Sequence, residues 1–198
     1  MPRSARTTVP GAPHHVTQRA NNREQVFHKN SDYTTYLKDL HRYATQCEVK
    51  TLCLCLMPNH IHLILIPPNE SALSEAMGMT AQAYSRYYHR QYGGCGRLWE
   101  SRYFSCAMDS FYLHNALLYV ELNPVRAGLA SVPWEYRWSS AKAHVMEKPD
   151  SIGLLDMTWW RENYTTAAWT DSLGASLNQS FLSKIRKHTR TGQMMRRQ

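Results

Sequence analysis

Acidic residues are scarce in this chain: 15 Asp and Glu stand against 23 Lys and Arg in 198 residues, for a net charge of +8. A deficit of that size favours a polyanionic partner, nucleic acid first and an anionic membrane surface second. No apolar run approaches the roughly 20 residues that a membrane-spanning helix needs, so no membrane span is expected. The N-terminal stretch "MPRSARTTVPGAPHH" has two arginines but no apolar core, so it is not read as a secretory signal. Cysteine is also sparse and odd in number, five in all, with Cys53, Cys55 and Cys106 in apolar surroundings. That pattern excludes a disulfide framework and implies reduced, buried thiols in a cytoplasmic protein. Internal repeats and low-complexity blocks are absent. What remains, with 43% hydrophobic residues, is a globular chain long enough for one domain with a substantial core and an appendage.

The periodicity gives an order of elements. "HHVTQRA" at residues 14–20 alternates as a short strand. Residues 32–47 place Tyr33, Tyr36, Leu37, Leu40, Tyr43 and Ala44 at helical spacing behind Ser31 or Asp32 as N-cap. "VKTLCLCL" reads as a buried strand. Pro58 has no N–H to give to a sheet ladder, so the apolar run 52–68 is not one strand, and "MPN" becomes the turn of a hairpin whose second strand is "HIHLILI", 60–66. A helix over 71–92 ends at "GGCG", a strand follows over 97–108, and a helix capped by Asp109 or Ser110 stops at Pro124. The fold class is therefore α+β: a ferredoxin-like β-α-β-β-α-β unit with an antiparallel sheet, plus one extra helix. Residues 1–142 form the main domain. Residues 143–198 are an extension with a Trp-rich segment (Trp159, Trp160, Trp169) and a basic tail.

Within the hairpin, His60 and His62 point to the same face of their strand, about 7 Å apart, a spacing at which two imidazoles grip one divalent cation. On its own, His-x-His is more often a pair of hydrogen-bonded histidines at a sheet surface. Cys53 and Cys55 lack zinc-knuckle spacing and read as core packing. In the last helix, Tyr112, Asn115, Tyr119 and Asn123 share one face opposite Leu113, Leu117 and Val120. A Tyr/Asn stripe facing a His-x-His strand is harder to assign to packing.

At this point a resemblance becomes specific. "LMPNHIHLIL" followed by "YVELNPVRAGL" resembles the IS200-like, single-tyrosine transposases of the HUH endonuclease superfamily, and among them the REP-associated tyrosine transposases of bacteria. The match runs from "HHVTQRANNR" through "LWESRYFSCAM" to "VPWEYRWSSA", about residues 10–142. It implies that His60 and His62 bind a metal ion, that Tyr119 in the extra helix is the nucleophile, and that Asn123 completes metal ligation. It implies Mg²⁺ or Mn²⁺ as cofactor, single-stranded DNA and REP-like DNA hairpins as partners, a 5′-phosphotyrosine intermediate, and a monomer or homodimer. Two histidines and an amide oxygen would leave such an ion open positions for water and a phosphate oxygen.

Candidate phosphate contacts are Arg19, Arg86, Arg90, Arg97 and Arg102, with Lys184, Arg186, Lys187 and Arg190 in the tail "SKIRKHTRTGQMMRRQ", which is expected to be a mobile, counterion-releasing arm. Tyr84, Tyr87, Tyr88 and Tyr92 are expected to divide between core and exposed stacking surface. Two other function classes stay open: a DNA-hairpin-binding regulator that no longer cuts, and a two-histidine RNA phosphoesterase suggested by His15-x-Thr17. The second lacks its other His-x-Ser/Thr element.

Overall fold

The computed structural model describes residues 7–175 and 177–197. The strands are β1 His14–Arg19, β2 Lys50–Met57, β3 His60–Ile66 and β4 Phe104–Ala107. The helices are α1 Asn30–Gln46, α2 Ala72–Tyr92, α3 Ser110–Glu121, α4 Asn123–Arg126, α5 Ala141–Met146, α6 Met157–Asn163, α7 Thr166–Gly174 and α8 Gln179–Thr191. The sheet order is β2-β3-β1-β4, with every neighbouring pair antiparallel. β1 and β2 therefore run parallel on either side of β3, the split β-α-β of the ferredoxin-like arrangement.

Pro58 and Asn59 form the turn between β2 and β3, as the missing proline N–H requires. The turn is pinned from outside: Val26 N–H donates to Pro58 O at 2.9 Å and Ala20 N–H to Asn59 O at 2.9 Å. The register sets Arg19, Thr17 and His15 of β1 opposite His60, His62 and Ile64 of β3, with Cys55 and Cys53 of β2 opposite His62 and Ile64. These residues share one face of the sheet, and α3 packs on it. α1 and α2 pack on each other over the other face, around Phe27, Tyr36, Tyr84 and Trp99. Tyr84 donates its hydroxyl to Val26 O at 2.6 Å, and Tyr87 and Tyr92 donate theirs to Asp32, so these three serve the packing of α2 on α1.

Three expectations change. The strand expected over 97–108 shrinks to Phe104–Ala107: Trp99 still bridges to Ala20 beyond β1, but the chain bends at residues 100–102 and the loop before it turns at Gly93, Gly94 and Gly96, all with positive φ. The boundary expected after residue 142 falls inside α5. The basic tail is not an arm: its first part is α8, an amphipathic helix that buries Phe181, Leu182, Ile185 and Thr189 against β4, β1 and α3 and turns its cations outward.

The extension also solves the sheet's edge problem. Asp156 N–H donates to Thr51 O, Ser140 N–H to Leu54 O and Leu56 N–H to Trp138 O along β2, while Met195 pairs with Met108 and Ala107 beyond β4. The β2 edge, otherwise open to pairing with another chain, is covered along its length, and the β4 edge at its Ala107 end.

The anchor of the extension is Glu121, fully buried at the end of α3. Its Oε1 accepts from Ser140 Oγ at 2.5 Å and from His144 Nδ1 at 2.6 Å, and its Oε2 accepts from Trp169 Nε1 at 2.9 Å. Trp160 stacks on His144 at 3.4 Å. A carboxylate this deep is tolerated only with such donors. Glu121→Ala orphans the buried His144 Nδ1 and Trp169 Nε1, while Ser140 Oγ keeps Leu54 O, and is expected to cost about 3 kcal/mol or more in urea unfolding. Glu147→Ala, which removes only an exposed 3.4 Å pair with Arg161, should stay within about 0.5 kcal/mol. Equal losses in the two variants would contradict the anchoring role.

Candidate functional site

His60 and His62 open β3 directly after the Pro58–Asn59 turn, and alternation turns both toward α3. Their ring centroids lie 5.0 Å apart. The hydrogen bonds assign their protons. Asn59 Nδ2 donates to Arg23 O at 2.9 Å, which makes Asn59 Oδ1 an acceptor; His60 Nδ1, 2.6 Å from it, therefore carries the hydrogen and leaves Nε2 with its lone pair. His62 Nδ1 lies 3.0 Å from His15 Nε2, so Nε2 is the nitrogen of His62 left uncommitted. Burial, aided by the Arg19 charge, depresses the His60 pKa to about 4. Burial pushes that of His62 well below its ordinary value, with His15, His60, Arg126 and Arg19 adding to the effect. His15 falls to about 3 through burial and then Arg126. All three rings are uncharged at neutral pH, as metal ligation requires.

α3 starts at Asp109, whose carboxylate accepts from Tyr112 N–H at 3.2 Å. Tyr119 does not lie on an exposed stripe. It is 5% exposed, because α3 is enclosed by the sheet on one side and by the extension on another. The Tyr119 ring stands edge-on to both His15 and His62, at 5.4 and 5.5 Å, while those two imidazoles stack in parallel at 5.3 Å. Arg126 covers the Tyr119 ring, its guanidinium 4.4 Å from the centroid, and donates to Tyr119 O and to Asn123 Oδ1 at 3.0 and 2.8 Å.

Asn123 is buried at the start of α4, with its carboxamide turned into its own helix. Nδ2 donates to Tyr119 O and Val120 O, and Oδ1 already accepts from Arg126. As an expected third ligand it has one lone pair of Oδ1 left. Tyr112 points elsewhere: its hydroxyl accepts a hydrogen bond from Lys184, whose ammonium also lies 4.3 Å from the ring centroid. Asn115 is half-buried on the same helix.

The donor set suits a divalent cation at His60 and His62, since two neutral imidazoles each offer Nε2. Among the described residues no group of three or more His, Cys, Asp or Glu is arranged around one point as a metal site. Two protein nitrogens would hold such an ion only with water or substrate oxygens beside them. Arg126 next to them suits a phosphate.

The expected basic residues divide. Arg19 lies opposite His60 in the ladder, and Arg186 adds to the burial that lowers the pKa of Arg126, so both belong to the rim of this site. Arg102 and Arg190 line a groove of about 800 Å³ between β4 and the end of α8, together with Arg196, His188, Phe104 and Met194; no Asp or Glu lines it. Arg97 lines a separate recess of about 220 Å³ with Tyr88 and His89. Arg86 and Arg90 sit exposed on α2, Arg86 near Asp39 of α1. Lys187 is exposed, and Lys184 is engaged with Tyr112. Sequence reasoning placed His15 only in the phosphoesterase alternative, and gave no role to Arg126 or Thr189. His15 alternates correctly on β1, and Arg126 is two helical turns after Tyr119, so both had a local signal. Thr189, 174 residues from the His15 ring it bonds, had none.

The sequence model of the family described as "Transposase IS200 like" matches residues 8–123, which include β1, the hairpin and α3. No curated protein matches the chain. Among solved structures, a REP-associated tyrosine transposase bound to a REP hairpin is similar with a TM-score of 0.59 at 17% identity, over 80% of this chain and 91% of that one. A Deinococcus radiodurans R1 protein assigned as a transposase aligns at 21% identity with a TM-score of 0.42, over 60% of this chain and 95% of that one.

The buried neutral histidines give a sign for pH dependence. With folded pKa values near 3 and 4 for His15 and His60, and a depressed one for His62, the unfolded chain binds more protons below about pH 6.5. Stability present above that pH is lost as the pH falls toward the folded values, by about 1.4 kcal/mol per pH unit for each such ring. The thermal midpoint of the metal-free protein should therefore drop between pH 6.5 and 5, before carboxylates titrate. A flat midpoint across that window would contradict the assigned protonation.

Proposed function

From the membership of this chain in the IS200-like transposase family, we propose that it cuts and rejoins single-stranded DNA beside a hairpin, with Tyr119 as the nucleophile. One observation carries the reading: the Tyr119 ring lies across His62 and His15 and beneath Arg126, next to two histidines that each keep a free Nε2. Mg²⁺ or Mn²⁺ held by His60 and His62, with Asn123 Oδ1 or water beside them, would polarise the scissile phosphate and help to orient it.

The protein groups do the rest. The Tyr119 oxygen attacks phosphorus and loses its proton; the bond to the 3′ oxygen breaks, and that oxygen gains a proton. The products are a 5′-phosphotyrosine and a free 3′-OH, and the phosphodiester energy is conserved for rejoining. Arg126, whose guanidinium covers the attacking ring, stabilises negative charge as it develops on the phosphate. The edge contacts of the ring with His15 and His62, together with the Arg126 guanidinium over it, hold the ring in one orientation, which shortens the search for an in-line approach. The acid-free groove past Arg102 and Arg190 suits a single strand, with Phe104, 39% exposed, available for stacking on a base. The hairpin partner is proposed by analogy with the REP-hairpin complex of the similar structure.

A second reading is favoured by the low exposure of Tyr119 and the engaged carboxamide of Asn123: a hairpin-binding regulator that no longer cuts. The two separate on a labelled single strand carrying a hairpin from DNA flanking the gene. Under the first reading, wild type forms a covalent adduct. Tyr119→Phe forms none yet binds within about twofold; His60→Ala and His62→Ala each lose cleavage by about 100-fold or more, a loss that chelator reproduces and Mg²⁺ or Mn²⁺ reverses. Binding with no adduct from wild type supports the regulator. An adduct from the Phe variant removes Tyr119 as the nucleophile.

The groove has its own test. Arg102→Ala with Arg190→Ala should weaken single-strand binding and flatten the plot of log affinity against log salt by about 0.7 for each phosphate no longer neutralised. Arg86→Ala with Arg90→Ala, on the far helix, should leave the slope unchanged. The reverse pattern would place the strand on α2.

A further inference from the structure

Behind the two histidines runs a buried chain of hydrogen bonds that ends on α8. His62 Nδ1 lies 3.0 Å from His15 Nε2, His15 Nδ1 lies 2.7 Å from Thr189 Oγ1, and Thr189 Oγ1 lies 2.8 Å from Ile185 O. Cys106 Sγ is 3.3 Å from the same hydroxyl. His15, His62, Cys106 and Thr189 are all at most 6% exposed, so water does not complete the set.

The chain has a direction. A threonine hydroxyl has one proton to give and two lone pairs to accept with. Thr189 Oγ1 donates to Ile185 O at 2.8 Å, the carbonyl that also takes the helical N–H of Thr189, so its one proton is placed there. Both lone pairs then accept, one from the Cys106 thiol, which burial keeps protonated with its pKa pushed up to about 11, and one from His15 Nδ1–H. A neutral His15 with hydrogen on Nδ1 offers Nε2 as an acceptor, so His62 donates from its own Nδ1. The His62 lone pair is left on Nε2. Were the chain reversed, His62 would carry its hydrogen on Nε2 and have no free nitrogen.

We propose that Thr189 is a positioning residue that sets the tautomer of His62 through His15, and thereby makes Nε2 of His62 a ligand nitrogen. The inference rests on the metal reading of His60 and His62 for its functional meaning, though the proton arrangement does not. It gives the C-terminal helix, outside the matched residues 8–123, a part in the site. The groove residue Arg190 is the next residue along the same helix, so the hydroxyl that orients the ligand sits in the turn that lines the groove.

The test uses the full chain, metal-free at pH 8, with long-range ¹H–¹⁵N spectra of the histidine rings and Mn²⁺ binding followed by electron paramagnetic resonance. Wild type should show His15 and His62 both as Nδ1–H tautomers. Thr189→Val keeps the size and loses the hydroxyl; it should shift His62 toward the Nε2–H form and weaken Mn²⁺ binding by at least about tenfold. Thr189→Ser should restore both. His62 found as Nε2–H in wild type overturns the proposal, and so does a Val variant with unchanged tautomers. If the Val variant fails to fold, the wild-type spectrum decides alone. If the tautomers behave as stated but wild type binds no Mn²⁺, the relay stands and the metal reading of the site fails.

Discussion

Glu121 is a carboxylate with no exposed surface at the end of the helix that carries Tyr119. Water is not available to it, so its charge has to be met by donors from the protein, and these come from Ser140, His144 and Trp169 in the segment that follows. That requirement draws α5 and α7 onto α3, and with them Trp160, which stacks on His144. Once the segment is held there, its backbone runs along β2, and its last helix reaches across to β4. The segment that satisfies one carboxylate therefore also closes the β2 edge and the Ala107 end of β4.

The consequence for the site is enclosure. A helix packed only on a sheet would leave Tyr119 half in solvent; packed between the sheet and the extension, it buries the ring against His15 and His62. The same enclosure strips water from three imidazoles and keeps them neutral, which a group with an unperturbed pKa near 6.5 would not be throughout the physiological range. Arg126, over the ring of Tyr119, adds a positive charge that further disfavours protonation of His15 and His62. Neutral imidazoles and a fixed guanidinium thus meet around one tyrosine ring.

Much of this was legible because it is local. Pro58 interrupts the apolar run for want of an N–H, and period-two alternation then puts His60 and His62 on one face whatever the rest of the chain does. The strand and helix order of a split β-α-β follows from the same periodicities, as does the start of α3 at Asp109. Local pattern misled where packing overrode it. Residues 97–103 have strand-like composition, but only Trp99 pairs there, with Ala20, before the chain bends at residues 100–102. Residues 183–191 have the charge of a mobile tail, but Phe181, Leu182 and Ile185 sit at helical spacing and bury on the sheet edge. The stripe through Tyr112, Tyr119 and Asn123 is a correct helical face, yet its members diverge: Tyr112 pairs with Lys184, Tyr119 with the histidines, and Asn123 with its own backbone and Arg126.

By itself, the sequence determined the ferredoxin-like order of elements, the hairpin that presents the two histidines, and the tyrosine placed four residues before the Asn-Pro step. Those features depend on residue type and on spacings of two to four positions, which backbone geometry converts directly into direction. Only the tertiary structure decided which nitrogen of His62 is free, which ring faces of Tyr119 are covered, and what the last 55 or so residues are for. Those depend on contacts such as His15 with Thr189 and Glu121 with Trp169, where a hydrogen bond's direction is set by partners far away in the chain and no periodicity connects the two ends.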